Sequence, residues 1–263
     1  MEFSVLMVTY DGEKEERLDK CLASIESQTL KATETIICLD GFIRESLMRV
    51  LNRYAHRLNI HIIQNKKSSH SENLNIGLNN CSYDFIIRSD SDDISLPSRF
   101  EEQIYLLSNY RYDVVSSNSI EIYKNQRRIK RVPSGLVSKN SLYRFFRNPV
   151  NHNVCAFRKE SVKSFMYPSG RMEDYLLWTN ILNKNMKIYN QNKEHIIADV
   201  NNLSSRRVGK DYRKAEIQLF LLNIHQSNLG GKLFSVLALL IRYPFRFSFF
   251  KFILDKLYQL IRN

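Results

Sequence analysis

No two cysteines in this chain stand at a spacing that could hold a metal or frame a small disulfide fold. The four present, Cys21, Cys38, Cys81 and Cys155, are scattered, without a C-x-x-C and without histidine companions. A zinc centre and a disulfide scaffold are thereby excluded, and a reducing compartment is the natural reading. Long apolar runs are missing as well. No stretch reaches the roughly 20 consecutive apolar residues that span a bilayer. The start, Met1-Glu2-Phe3-Ser4-Val5, lacks the basic opening and cleavage site of a secretory signal, so a cytoplasmic protein is expected. There is no internal repeat, no low-complexity tract, no Walker loop and no G-x-G-x-x-G, which disfavours P-loop and dinucleotide binding.

What is present is ordinary in bulk and unusual in charge. At 263 residues, 43% hydrophobic and 25% charged, the chain suits one large α/β domain, or one domain with an appendage. Lys and Arg outnumber Asp and Glu by 39 to 27, a net charge of +12. Such an excess points to an anionic partner: nucleic acid, an anionic membrane surface or a phosphorylated substrate.

The apolar pattern sets the architecture. Residues 3–10 (F-S-V-L-M-V-T-Y) form a near-continuous apolar run, expected of a strand covered on both faces. A helix with Leu18, Cys21, Leu22 and Ile25 at helical spacing follows over 15–28. Strands at 35–39 and 60–64 enclose a second helix over 46–58, and a short helix over 69–78 leads to a strand ending at Asp90. Alternating strands and helices imply a doubly wound, mostly parallel sheet flanked by helices. Beyond Pro97 a helix over 99–109, a strand over 113–117 and a basic hairpin within 120–132 are expected. Two edge strands are expected at 187–189 and 196–199.

Three strand ends carry polar side chains: Thr9 and Tyr10, then Asp40, then Asp90, Asp92 and Asp93. In a parallel sheet these ends share one edge, where open α/β sheets bind ligands. An aromatic ring and a carboxylate there suit a nucleoside, and Asp-x-Asp suits a divalent cation bridging diphosphate oxygens. Blander readings stand beside these: Tyr10 as a core aromatic, Asp40 as turn chemistry with Gly41, and the aspartates as an acidic loop capping the next helix.

Taken in order, V-L-M-V-T-Y-D-G (5–12), Q-T-L (28–30), I-I-C-L-D-G (36–41), N-L-N-I-G-L (73–78), R-S-D-S-D-D-I-S-L-P-S-R-F-E-E-Q (88–103), N-P-V-N-H (148–152) and E-D-Y-L-L-W (173–178) resemble a family-2 glycosyltransferase of the GT-A fold. The likeness is greatest to the bacterial group that builds O-antigen, capsule and amylovoran-type polysaccharides, and runs from about residue 3 to about residue 215. The aspartate block with I-S-L-P-x-R, followed by E-D-Y-x-x-W, is specific in combination.

The resemblance implies a Rossmann-like GT-A domain over 1–215, with a nucleotide-binding half (1–100) and an acceptor-binding half (101–215). It implies an inverting transfer of a hexose or N-acetylhexosamine from a UDP-sugar. Thr9, Tyr10, Asp40 and Asn73 fall where the family holds the nucleoside, and Asp90 and Asp92 fall where it meets the nucleotide and a Mn²⁺ or Mg²⁺ ion. Asp174 falls on the general base, with Glu173 beside it to orient the acceptor or share the proton. Arg206 and Arg207 match arginines that grip the diphosphate. Two departures stand out: Glu72-Asn73 replaces a common Arg-Asn, and Val208-Gly209 replaces a glycine-rich turn. Without the upstream motifs, Glu173-Asp174 also reads as charge at a helix N-terminus, and Arg206-Arg207 as a solvated basic loop. His152 is a candidate near the acceptor or metal, or a satisfied structural residue.

The acceptor implied by the resemblance is a saccharide carried on a polyprenyl diphosphate at the inner face of the membrane. Residues 216–263, apolar with interspersed cations, read as basic amphipathic helices lying on an anionic surface, or as helices packed on the domain or on a second copy. A nucleotidyltransferase on a related sheet remains an alternative, although residues 9–16 are not the glycine- and lysine-rich loop it needs. A nucleic-acid-binding module is the other, although no reading motif accompanies the positive charge, and no nucleic-acid partner is expected.

Overall fold

The structure is a computed structural model that describes residues 1–141, 143–201, 210–226 and 229–242. The first half runs β1 (Ser4–Tyr10), α1 (Glu15–Glu26), β2 (Glu34–Asp40), α2 (Glu45–Tyr54), β3 (Ile60–Asn65), α3 (His70–Asn80), β4 (Phe85–Asp90), β5 (Ile94–Ser95) and α4 (Arg99–Tyr110). The second half continues β6 (Val114–Tyr123), β7 (Gln126–Lys130), β8 (Gly135–Leu136), α5 (Tyr143–Phe146), a 3₁₀ turn (His152–Val154), β9 (Ala156–Arg158), α6 (Lys159–Lys163), α7 (Glu173–Asn183), β10 (Ile188–Asp199), α8 (Lys210–Gln226) and α9 (Leu229–Arg242).

The strands order as β3-β2-β1-β4-β9-β6-β10-β5. β1 pairs in parallel with β2 and β4, and β2 with β3. β9 lies antiparallel between β4 and β6, so β6 regains the direction of β4. The sheet is therefore mixed and mostly parallel, as expected.

Alternation along the central strands sends residues to two cores. Val5, Met7, Ile37, Leu39 and Ile87 join Leu18, Leu22, Leu47, Leu51, Phe100 and Ile104 on the face of α1, α2 and α4. Leu6, Ile36 and Ile86 join Leu74, Leu78, Trp178, Ile181 and Leu182 on the face of α3 and α7. Both faces are covered, which is why β1 and β2 read as unbroken apolar runs.

The strands expected at 187–199 need correction. The two edge strands foreseen at 187–189 and 196–199 are a single twelve-residue strand, β10, and it is internal, parallel to β6 with β8 and β5 on its other side. Register shifts between Gln191 and Glu194 and between Glu194 and Ile197 interrupt the pairing. Bulges of this kind spoil the period of two that marks a strand in sequence.

At the C-terminus α8 runs through residues 215 and 216, so the foreseen domain boundary lies within a helix. Leu219 of α8 packs on Tyr175 and Leu176 of α7. Arg144 of α5 donates to Asn223 of α8 at 2.9 Å, and the rings of Phe145 and Phe234 are 6.3 Å apart. The start of the C-terminal segment thus packs on the domain. The rest of that segment, and Arg206 and Arg207, lie outside the described residues.

Candidate functional site

The register aligns the strand ends. Tyr10 stands opposite Asp40, Val8 opposite Asp90, and Asp40 opposite Asn65. The structure therefore brings Tyr10, Asp40 and Asp90 to one carboxyl edge. Tyr10 is 45% exposed, too open for a core aromatic. Its ring lies over Gly12, where an added Cβ would collide with the ring carbons. Thr9 points the other way, fully buried, with an Oγ1 that has no partner among the described residues.

Asp40 is held from α3. Its Oδ1 accepts from the Ser68 backbone N–H at 2.7 Å and from Asn73 Nδ2 at 3.0 Å. Asn73 is fully buried, and its Oδ1 accepts in turn from Asn65 Nδ2 at 2.9 Å. Asn73 thus stands behind Asp40 rather than in the crevice. Gly41, at φ +81, turns the chain where Lys67 comes within 3.2 Å of any added Cβ, a conformation that favours glycine. Arg44, which nothing in the motifs singled out, ties this turn to the loop after β1 by donating to Glu15 Oε1 at 3.0 Å and to the Glu13 carbonyl at 2.6 Å.

The aspartate block divides three ways. Asp90 pairs with the guanidinium of Arg88, which is only 3% exposed and also meets His70 Nε2 at 3.2 Å. Asp92 is partly exposed, with Arg17 Nη1 at 3.7 Å; Arg17 also pairs with Asp199 at the end of β10. Burial, with repulsion from Asp90 and Glu13, raises the Asp92 carboxyl to about 6. Asp93 is buried and accepts from Asn153 Nδ2 at 2.8 Å. Burial, then the charges of Asp90 and Asp92, push its pKa well above the usual carboxylate value. Asp93 does not cap the following helix: β5 intervenes, and α4 begins after Ser98 with no side-chain cap.

The rest of that motif is scaffold. Arg99 is fully buried and donates to the Arg88 carbonyl at 2.5 Å and to Ser95 Oγ at 2.9 Å. Gln103 donates to the Val154 carbonyl at 2.6 Å, and Gln28 to the Leu96 carbonyl at 2.9 Å. These bonds satisfy carbonyls of β4, of the segment after β5 and of the 3₁₀ turn, and so brace the loop carrying the aspartates from either side.

Glu173 and Asp174 open α7, which starts after Met172 in the left-handed region at φ +59. Asp174 Oδ2 accepts from Asn148 Nδ2 at 2.8 Å, and Oδ1 from the Tyr175 N–H at 2.8 Å. Burial raises the pKa of Asp174, and burial followed by the neighbouring Asp174 raises that of Glu173. The positive charge of Arg88 favours the ionised forms of Asp93, Glu173 and Asp174 alike, so this one guanidinium serves both carboxylate groups. His152 is half-buried against Tyr167 and Trp178, ring centroids at 5.5 and 5.7 Å, and burial drives its pKa well below the ordinary value, leaving it neutral.

As a metal centre the site is incomplete on protein atoms alone. No group of three or more His, Cys, Asp or Glu side chains among the described residues is arranged to hold an ion. Asp92 and the oxygen of Asp90 not taken by Arg88 are the available donors, and the mutual repulsion that raises Asp92 is what a cation would relieve.

The family model described as glycosyl transferase family 2 matches residues 4–213. The chain is 34% identical, over 242 residues, to the amylovoran biosynthesis glycosyltransferase AmsE of Erwinia amylovora, covering 87% of this chain and 88% of the relative. It is 32% identical over 229 residues to a UDP-Gal:alpha-D-GlcNAc-diphosphoundecaprenol beta-1,3-galactosyltransferase of Escherichia coli, covering 82% and 81% respectively. Among solved structures, S. aureus TarS 1–349 in complex with UDP-GlcNAc superposes with a TM-score of 0.73, covering 94% of this chain and 74% of that one; at 17% identity the likeness is one of fold.

Proposed function

The chain belongs to glycosyl transferase family 2, and from that premise we propose that it transfers a hexose or N-acetylhexosamine from a UDP-sugar, with inversion, to a saccharide carried on a polyprenyl diphosphate. The product is a repeat unit of a surface polysaccharide such as O-antigen or capsule, and β1,3-galactosyl or glucosyl transfer is the favoured reaction. The named activity of the Escherichia coli relative and the UDP-GlcNAc bound by TarS support the donor class. Membership of this family decides against the nucleotidyltransferase alternative.

The observation that carries the reading is the placement of Asp174. Its two oxygens are fixed by Asn148 and by the Tyr175 N–H, and it shares the field of Arg88 with Asp90. An oriented carboxylate of raised pKa is suited to take the acceptor hydroxyl proton as that oxygen attacks the anomeric carbon. Glu173 orients the acceptor beside it. Tyr10 stacks on the base, while Asp40, kept in place by Asn73 and Ser68, accepts from the uracil or ribose. Asp90 and Asp92 would hold Mn²⁺ or Mg²⁺ jointly with the diphosphate, and the ion would supply charge for the departing nucleoside diphosphate. Arg206 and Arg207, outside the described residues, are proposed as further diphosphate partners.

No helix among the described residues is long and apolar enough to cross a membrane. α9 exposes Leu229, Leu233 and Leu237 at four-residue spacing beside Lys232, which supports peripheral contact with an anionic membrane from the cytoplasmic side. The test is a screen of UDP-galactose, UDP-glucose and their N-acetyl analogues with Mn²⁺ and a polyprenyl-diphosphate-linked sugar. A β-linked product from one α-linked donor is expected; failure of every UDP-sugar, or a retained anomeric configuration, contradicts the proposal.

A further inference from the structure

The β6–β7 hairpin is the most basic described surface of the chain that the reading above leaves unused. Lys124, Arg127, Arg128, Lys130 and Arg131 fall within eight residues, and every residue of β7 is exposed. The hairpin is rigidly built. Lys124 and Asn125 turn it at φ +47 and +62, the two positive values of a tight hairpin turn. Its tip is tied to the end of β10 where the Lys124 N–H donates to Asn201 Oδ1 at 2.7 Å. Arg128 pairs with Glu121 at 2.8 Å and lies over the Tyr123 ring. Arg127 and Arg131 make no ion pair among the described residues. Because β6 runs in the direction of β4, the tip lies on the edge that carries Asp90.

A four-residue loop joins this hairpin to the base. Asn148 at its start donates to Asp174 Oδ2 at 2.8 Å. Asn151 at its end is fully buried, donates to Ser119 Oγ at 2.9 Å, and accepts from Lys130 Nζ at 2.6 Å. The loop thus sets an exposed cation and the base at a defined separation, and the charge of Lys130 is felt at Asp174.

An acceptor sugar linked through its anomeric carbon to a diphosphate carries its negative charge one pyranose ring from the hydroxyl that attacks. With that hydroxyl at Asp174, the phosphates approach two carboxylates, Glu173 and Asp174, and need compensating cations close by. Arg88 is buried beside Asp90, whereas Arg128, though paired with Glu121, is exposed and can meet a substrate phosphate. We propose that the Arg128–Lys130 face of the β6–β7 hairpin, positioned on Asp174 by the Asn148–Asn151 loop, is the binding site for the diphosphate of the acceptor. This rests on the transferase reading for its choice of substrate, whereas the site itself is tested by binding.

The experiment is calorimetry on the full chain with two probes, undecyl-diphosphate-linked α-GlcNAc and the undecyl α-GlcNAc glycoside that lacks phosphate. The diphosphate probe is expected to bind roughly tenfold or more tightly, and Arg128→Gln with Lys130→Gln to abolish that preference while UDP affinity, the control for folding, is kept. Equal binding of the two probes, an undiminished preference in the double variant, or a parallel loss of UDP affinity overturns the proposal. Phosphatidylglycerol vesicles separate the two sources of phosphate. A double variant that loses vesicle binding but keeps the diphosphate preference would make the hairpin a headgroup contact and overturn the acceptor assignment. Probe binding by a chain that consumes no UDP-sugar would leave this site standing while the transferase reading falls.

Discussion

Asn75 and Tyr167 exchange two hydrogen bonds across 92 residues of chain: Asn75 Nδ2 donates to the Tyr167 carbonyl at 2.9 Å, and the Tyr167 N–H donates to Asn75 Oδ1 at 2.7 Å. One side-chain amide thereby fastens α3, which holds Asp40 through Asn73, to the loop that leads into α7 and its Asp174. The donor edge and the proposed base are held in register by this contact. Asn75→Ala leaves two partly buried backbone groups unpaired, so chemical denaturation should show a loss of about 1–3 kcal/mol, with kcat reduced more than UDP affinity.

Gly77 packs α3 against the sheet. A Cβ there would collide with Leu6 Cδ1 and come within 2.9 Å of Cys38 Sγ, both buried. Gly77→Ala is expected to destabilise the fold by about 1–3 kcal/mol through overpacking, read as a lower denaturation midpoint. A midpoint unchanged by the added methyl would show that the α3–sheet contact yields.

The division within the aspartate block is testable by calorimetry with UDP and Mn²⁺. Asp92→Ala should weaken metal-dependent UDP binding by roughly tenfold or more. Asp93→Asn keeps its contact with Asn153 within reach and should preserve the metal dependence. Equal losses in both variants would show that the buried carboxylate shares the role.

The pH profile follows from Asp174. Burial raises its pKa from the ordinary 3.8, while the Tyr175 N–H, Lys130 and Arg88 favour the ionised form. A base works only when ionised, so kcat should rise as pH rises through that raised value. Lys130→Gln removes one favourable charge, raises the pKa further, and moves the acid limb to higher pH. A limb that stays in place would separate Lys130 from the base.

Much of the donor edge could be read from the sequence because β1, β2 and β4 are apolar runs that stop at polar residues. Tyr10, Asp40 and Asp90 then fall on one edge by the rules of parallel sheets. What could not be read depends on long-range contacts. Asn75 resembles any polar helix residue until its partner is known. Arg88 reads as an interruption of a strand, yet it is the buried cation of the site. β9 is three residues long, too short to carry a period, and sits mid-sheet. The aspartates read as a cap for α4 because the two-residue β5 between them and that helix leaves no pattern.

Asp174→Asn is the most direct test of the base assignment, measured as transfer at saturating UDP-sugar with UDP affinity determined in parallel. Turnover should fall by roughly 10²–10⁴-fold while UDP affinity holds. Turnover close to that of the unaltered chain would contradict Asp174 as the base.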